Sequence, residues 1–146
     1  MIPEFTAEGL LPAGIHQAAL IEFEKRFANN IWRKELFGYL VKLIEDLRNI
    51  GCKALYINGS YTTNKRLPKD FDVCWEDLGL DYDEVRRKLP ILFDLDPPRA
   101  KQQLIYKADI FPAHFVEFGS KMYFIDFFQE DKYTRLPKGI IKIEII

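Results

Sequence analysis

The chain has 146 residues, 48% of them apolar and 29% charged, so it can bury a hydrophobic core and is not expected to be disordered. Its 21 basic and 22 acidic residues leave a net charge of −1, whereas proteins that coat duplex DNA are normally strongly basic. No run approaches the roughly 18 apolar residues of a transmembrane helix. We therefore predict one domain, residues 1–146, that binds neither duplex DNA nor a membrane.

The cysteine and histidine content restricts the compartment and the metal chemistry. Cys52 and Cys74 are the only cysteines, and each lies within an apolar run. The first residues lack the basic and apolar regions of a signal peptide, so we expect a cytoplasmic protein with two buried thiols. His16 and His114 are far apart in the sequence, which argues against a zinc site built from closely spaced ligand pairs.

In chain order, residues 1–15 are rich in proline and glycine and predict an extended arm. Apolar residues at helical spacing then predict helices over about 16–28 and 31–50, and Gly51 is suited to end the second one. The apolar stripe of this second helix is wide, so we expect it to pack against a sheet.

The rest of the chain alternates between strand and helix signals. Four runs predict strands, at 53–58, 71–75, 108–111 and 139–146. Three segments predict helices, at 81–89, from Asp96-Pro97 to about 106, and at 120–130. The fold class predicted is therefore α/β (α+β), a small mixed sheet flanked by helices, with a core over 31–115 and a C-terminal helix and strand over 116–146.

Two aspartates in the second predicted strand point to metal chemistry. Asp70 and Asp72 are two residues apart, so both carboxylates lie on one face, with Cα atoms roughly 7 Å apart. Like charges on one face repel each other unless a cation lies between them. Carboxylate oxygens suit Mg²⁺, which completes its coordination with waters and substrate phosphates.

A possible phosphate-binding turn precedes this strand. Gly59 and Ser60 directly follow the strand predicted at 53–58. If one helical turn begins there, its free N–H groups and the Ser60 hydroxyl form a small anion site, and glycine allows a phosphate to come close. Such a site next to a carboxylate pair suits metal-assisted phosphoryl or nucleotidyl transfer.

This segment resembles the nucleotidyltransferase superfamily of the DNA polymerase β type, whose signature is Gly-Ser, nine to thirteen residues, and then Asp-x-Asp. Here the spacer from Tyr61 to Lys69 has nine residues. The match covers about residues 31–76 and is closest to the small bacterial minimal nucleotidyltransferases. The resemblance implies the polymerase-β-type fold, contacts from Ser60 to the nucleotide phosphates, and Asp70 and Asp72 as ligands of one or two Mg²⁺ (or Mn²⁺) ions.

The superfamily usually has a third carboxylate on a later strand, and two aspartates are candidates. Asp109 lies in a predicted strand that follows a helix, as the family order requires, and Asp126 lies in the segment predicted as helix. We favour Asp109 as the third metal ligand or as the base. Lys65 and Lys69, with Arg66 between them, lie between the two motifs, where they either neutralise a triphosphate or, for Lys65 and Arg66 in particular, belong to a solvated loop.

The resemblance implies an enzyme that transfers a nucleoside monophosphate from an NTP, ATP first, to a hydroxyl group of a protein or an RNA end. A toxin–antitoxin or defence system is the setting that it suggests. The alternative is a catalytically inactive binding module of the same fold that acts by contact with a partner protein. Outside the motif, we expect the acidic residues from Glu76 to Glu84 to form a solvated surface and His114 to be structural.

Overall fold

A five-stranded sheet organises the fold, which the computed structural model describes for residues 1–145. The strands are β1 (Gly14–Gln17), β2 (Ala54–Asn58), β3 (Phe71–Trp75), β4 (Ala108–Pro112) and β5 (Gly139–Glu144). The helices are α1 (Leu20–Phe27), α2 (Ile31–Asn49), α3 (Tyr82–Lys88), α4 (Ala100–Tyr106) and α5 (Phe124–Phe127). Single 3₁₀ turns lie at Ser60–Thr62 and Pro90–Phe93. The predicted fold class, a mixed sheet flanked by helices, is confirmed.

The strand order is β1-β5-β2-β3-β4. The two outer pairs, β1 with β5 and β3 with β4, are parallel, and the inner pairs are antiparallel. Strand β3 therefore lies between β2, which leads into Gly59 and Ser60, and β4, which carries Asp109. This order brings the sequence motifs to three neighbouring strands.

The two faces of the sheet differ. Leu55, Ile57 and Val73 point to one face, where they join the main core formed with the apolar sides of α1 and α2. Side chains alternate along a strand, so Tyr56 and Cys74 point to the opposite face, in a smaller apolar cluster that includes Ile125 and Ile140. The polar residues Asn58 and Asp72 lie on this second face. The main core thus supports the sheet from behind, and the other face carries the polar groups.

Helix α2 matches its prediction and forms much of the main core. Asn30 accepts a hydrogen bond from the backbone N–H of Arg33 and so caps the helix, which continues for 19 residues. Leu36, Leu40 and Leu47 are almost completely buried against the sheet. At about 2 kcal/mol for each fully buried leucine, this stripe stabilises the arrangement strongly.

The N-terminal segment corrects one prediction. Residues 16 and 17, which were predicted to begin a helix over 16–28, belong to β1 and pair in parallel with Ile141 and Lys142. The helix begins only at Leu20. The regular apolar spacing starts at that residue, and the partner strand of β1 is more than 120 residues away, so no local pattern indicated it.

Two other helices are shorter than predicted. Helix α4 begins at Ala100 and not at Asp96-Pro97, because Pro98 disfavours a helical conformation for Pro97 and Arg99 adopts a left-handed conformation with φ of 54°. The helix predicted over 120–130 is reduced to the four residues of α5. Before it, the chain turns at Gly119 and Ser120, whose N–H groups both donate to the Glu117 carboxylate.

The predicted buried thiols are present: Cys52 and Cys74 are both free and buried. Burial raises the pKa of each thiol, so both favour the protonated, unreactive form. Among residues 1–145, no helix combines the length and the apolar character needed to cross a membrane.

Candidate functional site

The turn after β2 is built around Gly59, which has a φ of +79°. A side chain there would overlap the Asp72 carboxylate: an ideal Cβ would lie 3.0 Å from Asp72 Cγ and closer still to Oδ2. Glycine is therefore required both by the backbone conformation and by the close approach of the carboxylate. The 3₁₀ turn that follows begins at Ser60, as the sequence predicted for this connection.

Arg33 of α2 holds this turn in place, a role that the sequence analysis missed. The side chain is 2% exposed and donates hydrogen bonds to four backbone carbonyl groups, those of Phe27, Tyr61, Thr63 and Lys65. Burial lowers the pKa of the guanidinium, although arginine remains charged at neutral pH. Its position in the apolar stripe of α2, three residues before Leu36, was the available signal.

The predicted carboxylates meet at one end of the sheet. Asn58, Asp72 and Asp109 are paired in register across β2, β3 and β4, so their side chains share a face. Asp70 lies two residues before Asp72, and its carboxylate shares a hydrogen-bonding partner, Gln103, with Asp109. The structure thus brings Asp70, Asp72 and Asp109 together, whereas Asp126 is exposed on α5.

The electrostatics of Asp72 are those of a poorly compensated anion. Burial, followed by the charges of Asp70 and Asp109, raises its pKa to about 6. None of the residues from 1 to 145 donates a hydrogen bond to its carboxylate. Burial also raises the pKa of Asp70, against the lowering effect of the hydrogen bond from Gln103. A bound cation would lower both pKa values and offset this repulsion.

Asn58 adds a second unsatisfied group beside Asp72. Its side chain is completely buried, and within the described part of the chain neither its amide oxygen nor its amide nitrogen has a hydrogen-bond partner. Leaving such a group unpaired costs about 1–3 kcal/mol. A residue type chosen for stability alone would be apolar at this buried strand position, so the amide indicates a role toward a bound group.

Two side chains near the start of α4 cover Asp109, and neither was predicted. Arg99 Nε lies 3.0 Å from Asp109 Oδ1 without hydrogen-bond alignment, and Arg99 Nη2 donates to Oδ2 at 3.4 Å. Gln103 Nε2 donates to Asp109 Oδ1 at 2.9 Å and to Asp70 Oδ2 at 3.0 Å. Their spacing of four residues places both on one side of α4, but only the path of the chain before the helix brings them to the carboxylates.

A cleft of about 760 Å³ opens in front of these groups. Its walls include six of the residues predicted to bind a metal or nucleotide, namely Gly59, Ser60, Lys65, Lys69, Asp70 and Asp72. The positive charges of Lys132 and Lys138, which also line the cleft, act to lower the pKa of Asp72, but burial and the neighbouring aspartates outweigh them. Asp109 does not line the cleft, and Arg66 is exposed outside it. The volume is in the range of small-molecule sites.

A second polar group lies at the other end of β3, where a solvated surface was expected. Asp77 is 1% exposed, and its Oδ1 accepts a hydrogen bond from the His114 backbone N–H at 3.0 Å and lies 2.9 Å from His114 Nδ1. Its Oδ2 accepts from the Tyr82 hydroxyl, and Glu76 accepts from the Tyr56 hydroxyl. The expectation was wrong for Asp77, because a histidine and a tyrosine distant in sequence allow its burial.

This group could hold a metal ion. Glu76, Asp77 and His114 each offer a ligand atom, and these atoms lie within 4.8 Å of one another. In the described residues 1–145, no other group of three such side chains meets that spacing, so Asp70, Asp72 and Asp109 are more widely separated. His114, which was expected to be structural, thus contacts both acidic residues.

Comparison with known proteins supplies a family but no activity. A family model described as "Family of unknown function (DUF6932)" matches residues 3–144, almost the whole chain. The protein belongs to this family. No curated protein and no solved structure matches the chain. Inferences about the function of this family member therefore depend on the cleft and its residues.

Proposed function

We propose that the protein is a Mg²⁺-dependent nucleotidyltransferase, which transfers a nucleoside monophosphate from an NTP to a hydroxyl group of a protein or an RNA end. One observation carries the proposal: Asp70 and Asp72 face a cleft beside the Gly59-Ser60 turn, with Asp109 in register on the next strand. The sheet order also agrees with the resemblance of the sequence to the polymerase-β-type superfamily.

The residues present fit a hard divalent cation. The available donors are carboxylate oxygens, which Mg²⁺ prefers, and Asp72 is a half-buried anion whose pKa is raised to about 6 by desolvation and neighbouring aspartates. Asp70 and Asp72 would hold the ion. When bound, Mg²⁺ neutralises phosphate charge and stabilises the charge that develops on the transferred phosphoryl group.

The other cleft residues would bind and orient the nucleotide. Gly59 and Ser60 line the cleft, where the Ser60 hydroxyl and the N–H groups of the turn can donate to phosphate oxygens. Lys65, Lys69 and Lys138, which all line the cleft, supply positive charge for a triphosphate. Buried hydrogen bonds from Arg33 keep the turn rigid, which reduces the entropy lost on binding.

Labelled nucleotides test the proposal directly. The protein is incubated with MgCl₂, a host lysate and α-phosphate-labelled ATP, CTP, GTP or UTP, and the labelled products are separated as protein or RNA. We expect transfer with the wild type, loss with Asp70→Ala, and unchanged transfer with Asp126→Ala, the same change at an exposed aspartate. If the folded wild type neither transfers label nor binds Mg-nucleotide in calorimetry, the proposal is wrong.

A second candidate function is a catalytically inactive binding module of the same fold. The observation that favours it is the pairing of Asp109 with Arg99 and Gln103, because both oxygens of the third carboxylate are engaged. It predicts a stable complex with a partner protein that persists when Asp70 and Asp72 are both changed to asparagine. Co-purification of the double variant with the same partner as the wild type would favour this alternative over transfer.

A further inference from the structure

The carboxylate of Asp109 is occupied by protein groups. The Arg99 guanidinium contacts both of its oxygens, at 3.0 Å to Oδ1 and 3.4 Å to Oδ2, and Oδ1 also accepts from Gln103. The Arg99 and Asp109 side chains are only about one-fifth exposed, so solvent screens this ion pair less than a surface pair. Asp109 already has a compensating positive charge.

Gln103 also occupies the space between Asp109 and Asp70. The two hydrogens of its amide nitrogen serve one oxygen of each carboxylate, at 2.9 and 3.0 Å. Mg²⁺ with ligands at about 2.1 Å requires ligand oxygens roughly 3–4 Å apart. The ligand atoms of the three aspartates do not all come within 4.8 Å of one another, so a cation that bridges Asp109 and Asp70 would have to displace Gln103.

The Asp72 side of the group has the opposite character. No residue from 1 to 145 donates a hydrogen bond to either oxygen of Asp72 or to Oδ1 of Asp70. Beside Asp72, the completely buried Asn58 side chain lines the cleft with both of its polar atoms unpartnered. These open acceptors and the unpaired amide point to a bound cation with its waters on this side only.

We propose that the cleft binds one divalent cation, between Asp70 and Asp72, and that Arg99 supplies beside Asp109 the positive charge of a second cation. The proposal rests on the proposed function in so far as the cleft binds metal. Arg99 is then a positioning residue that keeps Asp109 out of the coordination sphere. The site operates with one exchangeable cation and one fixed positive charge.

A manganese titration followed by electron paramagnetic resonance tests this stoichiometry, with Mn²⁺ alone as the probe. We expect one Mn²⁺ per chain, with every protein in the titration, including the reference, carrying His114→Gln, which removes one ligand atom of the Glu76, Asp77 and His114 group. Arg99→Gln releases Asp109 and is expected to bind two, and Arg99→Lys restores one because the positive charge returns. Lys101→Gln is the matched control, since it removes a positive charge from an exposed position of α4, just after Arg99, and should leave one site.

A double variant that keeps the net charge tests whether Asp109 is a metal ligand or only the partner of Arg99. Arg99→Gln combined with Asp109→Asn removes the ion pair as a unit, so we expect one Mn²⁺ with an affinity within about threefold of the reference protein, whereas Asp72→Asn weakens binding at least about tenfold. This double variant also tests the proposal if Arg99→Gln alone does not fold. Two cations in the His114→Gln reference protein, or a tenfold loss in the double variant, would overturn the inference and leave the proposed function standing. Absence of Mn²⁺ binding in the folded reference protein would contradict both.

Discussion

The two ends of β3 carry acidic groups of opposite character. At one end, Asp77 is buried with both oxygens engaged, by the backbone N–H of His114 and by the Tyr82 hydroxyl. At the other end, Asp72 accepts no hydrogen bond from residues 1–145, and its pKa is raised to about 6 by burial and like charges. Both aspartates belong to short acidic motifs, Asp70-Phe71-Asp72 and Glu76-Asp77.

The number of hydrogen-bond donors around each carboxylate distinguishes a structural role from a functional one. A buried carboxylate with a full set of donors stabilises the fold, because those donors would otherwise be unsatisfied. A carboxylate held without donors beside other carboxylates destabilises the fold, and a cation or a charged substrate is what compensates it. We therefore interpret the Asp72 end as the reactive one and the Asp77 end mainly as a structural connection between β3, α3 and the segment after β4.

The largest expected effect is on transfer. If the proposed function holds, Asp72→Asn should lower nucleotide transfer on the order of a thousandfold, because the ligand charge for the cation is lost. Asp77→Asn should retain most activity, measured at a temperature where both variants are folded. Equal losses in the two variants would contradict the functional contrast between the two ends.

The next largest effect is on stability, and here we expect the Asp77 end of β3 to be the sensitive one. Asp77→Ala should lower the free energy of unfolding by about 3–4 kcal/mol, because it leaves the His114 N–H and the Tyr82 hydroxyl without their acceptor. Urea unfolding followed by circular dichroism measures it. Asp83→Ala, an exposed acid in α3, is the control and should change stability by less than about 0.5 kcal/mol. If Asp77→Ala leaves the free energy of unfolding almost unchanged, the structural interpretation of Asp77 is wrong.

The third prediction concerns pH. Because the folded-state pKa of Asp72 is raised from 3.8 to about 6, the folded protein binds this proton more tightly than the unfolded chain does. The contribution of Asp72 to the free energy of unfolding is therefore most favourable below about pH 4, and it is lost as the pH rises through 6 and the carboxyl group ionises. Without metal, the free energy of unfolding of the wild type relative to Asp72→Asn should thus fall by about 2–3 kcal/mol from about pH 4 to pH 7.

Excess MgCl₂ sharpens this measurement. A cation bound by the ionised Asp72 stabilises the folded state by mass action, so the fall between about pH 4 and pH 7 should become smaller for the wild type and remain unaffected for Asp72→Asn. Calcium-free buffer with EDTA defines the starting curve. A flat difference between the two proteins in EDTA would show that the Asp72 carboxylate is compensated in solution.

Part of this contrast could be predicted from the sequence and part could not. Alternation along a strand placed Asp70 and Asp72 on one face, and the order of strands favoured Asp109 over Asp126 as the nearest third carboxylate. Arg99 and Gln103 were missed, because the left-handed conformation of Arg99 sets the start of α4 and no periodic pattern encodes it. The contacts of Asp77 were missed for a similar reason: His114 is 37 residues away in sequence.

The smallest expected effect is a coupling between Gly59 and Asp72. Gly59→Ala places a Cβ against the Asp72 carboxylate and a side chain on a residue with φ of +79°, so it should destabilise the wild type more than it destabilises Asp72→Ala. Only the backbone strain and one tight contact, at 3.2 Å to the Cβ of residue 72, remain in the second background. The expected interaction energy from a double-mutant cycle of urea unfolding is about 1–2 kcal/mol. Additive changes in the free energy of unfolding would mean that the turn and the Asp72 carboxylate are not in contact in solution. The close approach of Gly59 to Asp72 would then not distinguish the Asp72 end of β3 from the Asp77 end.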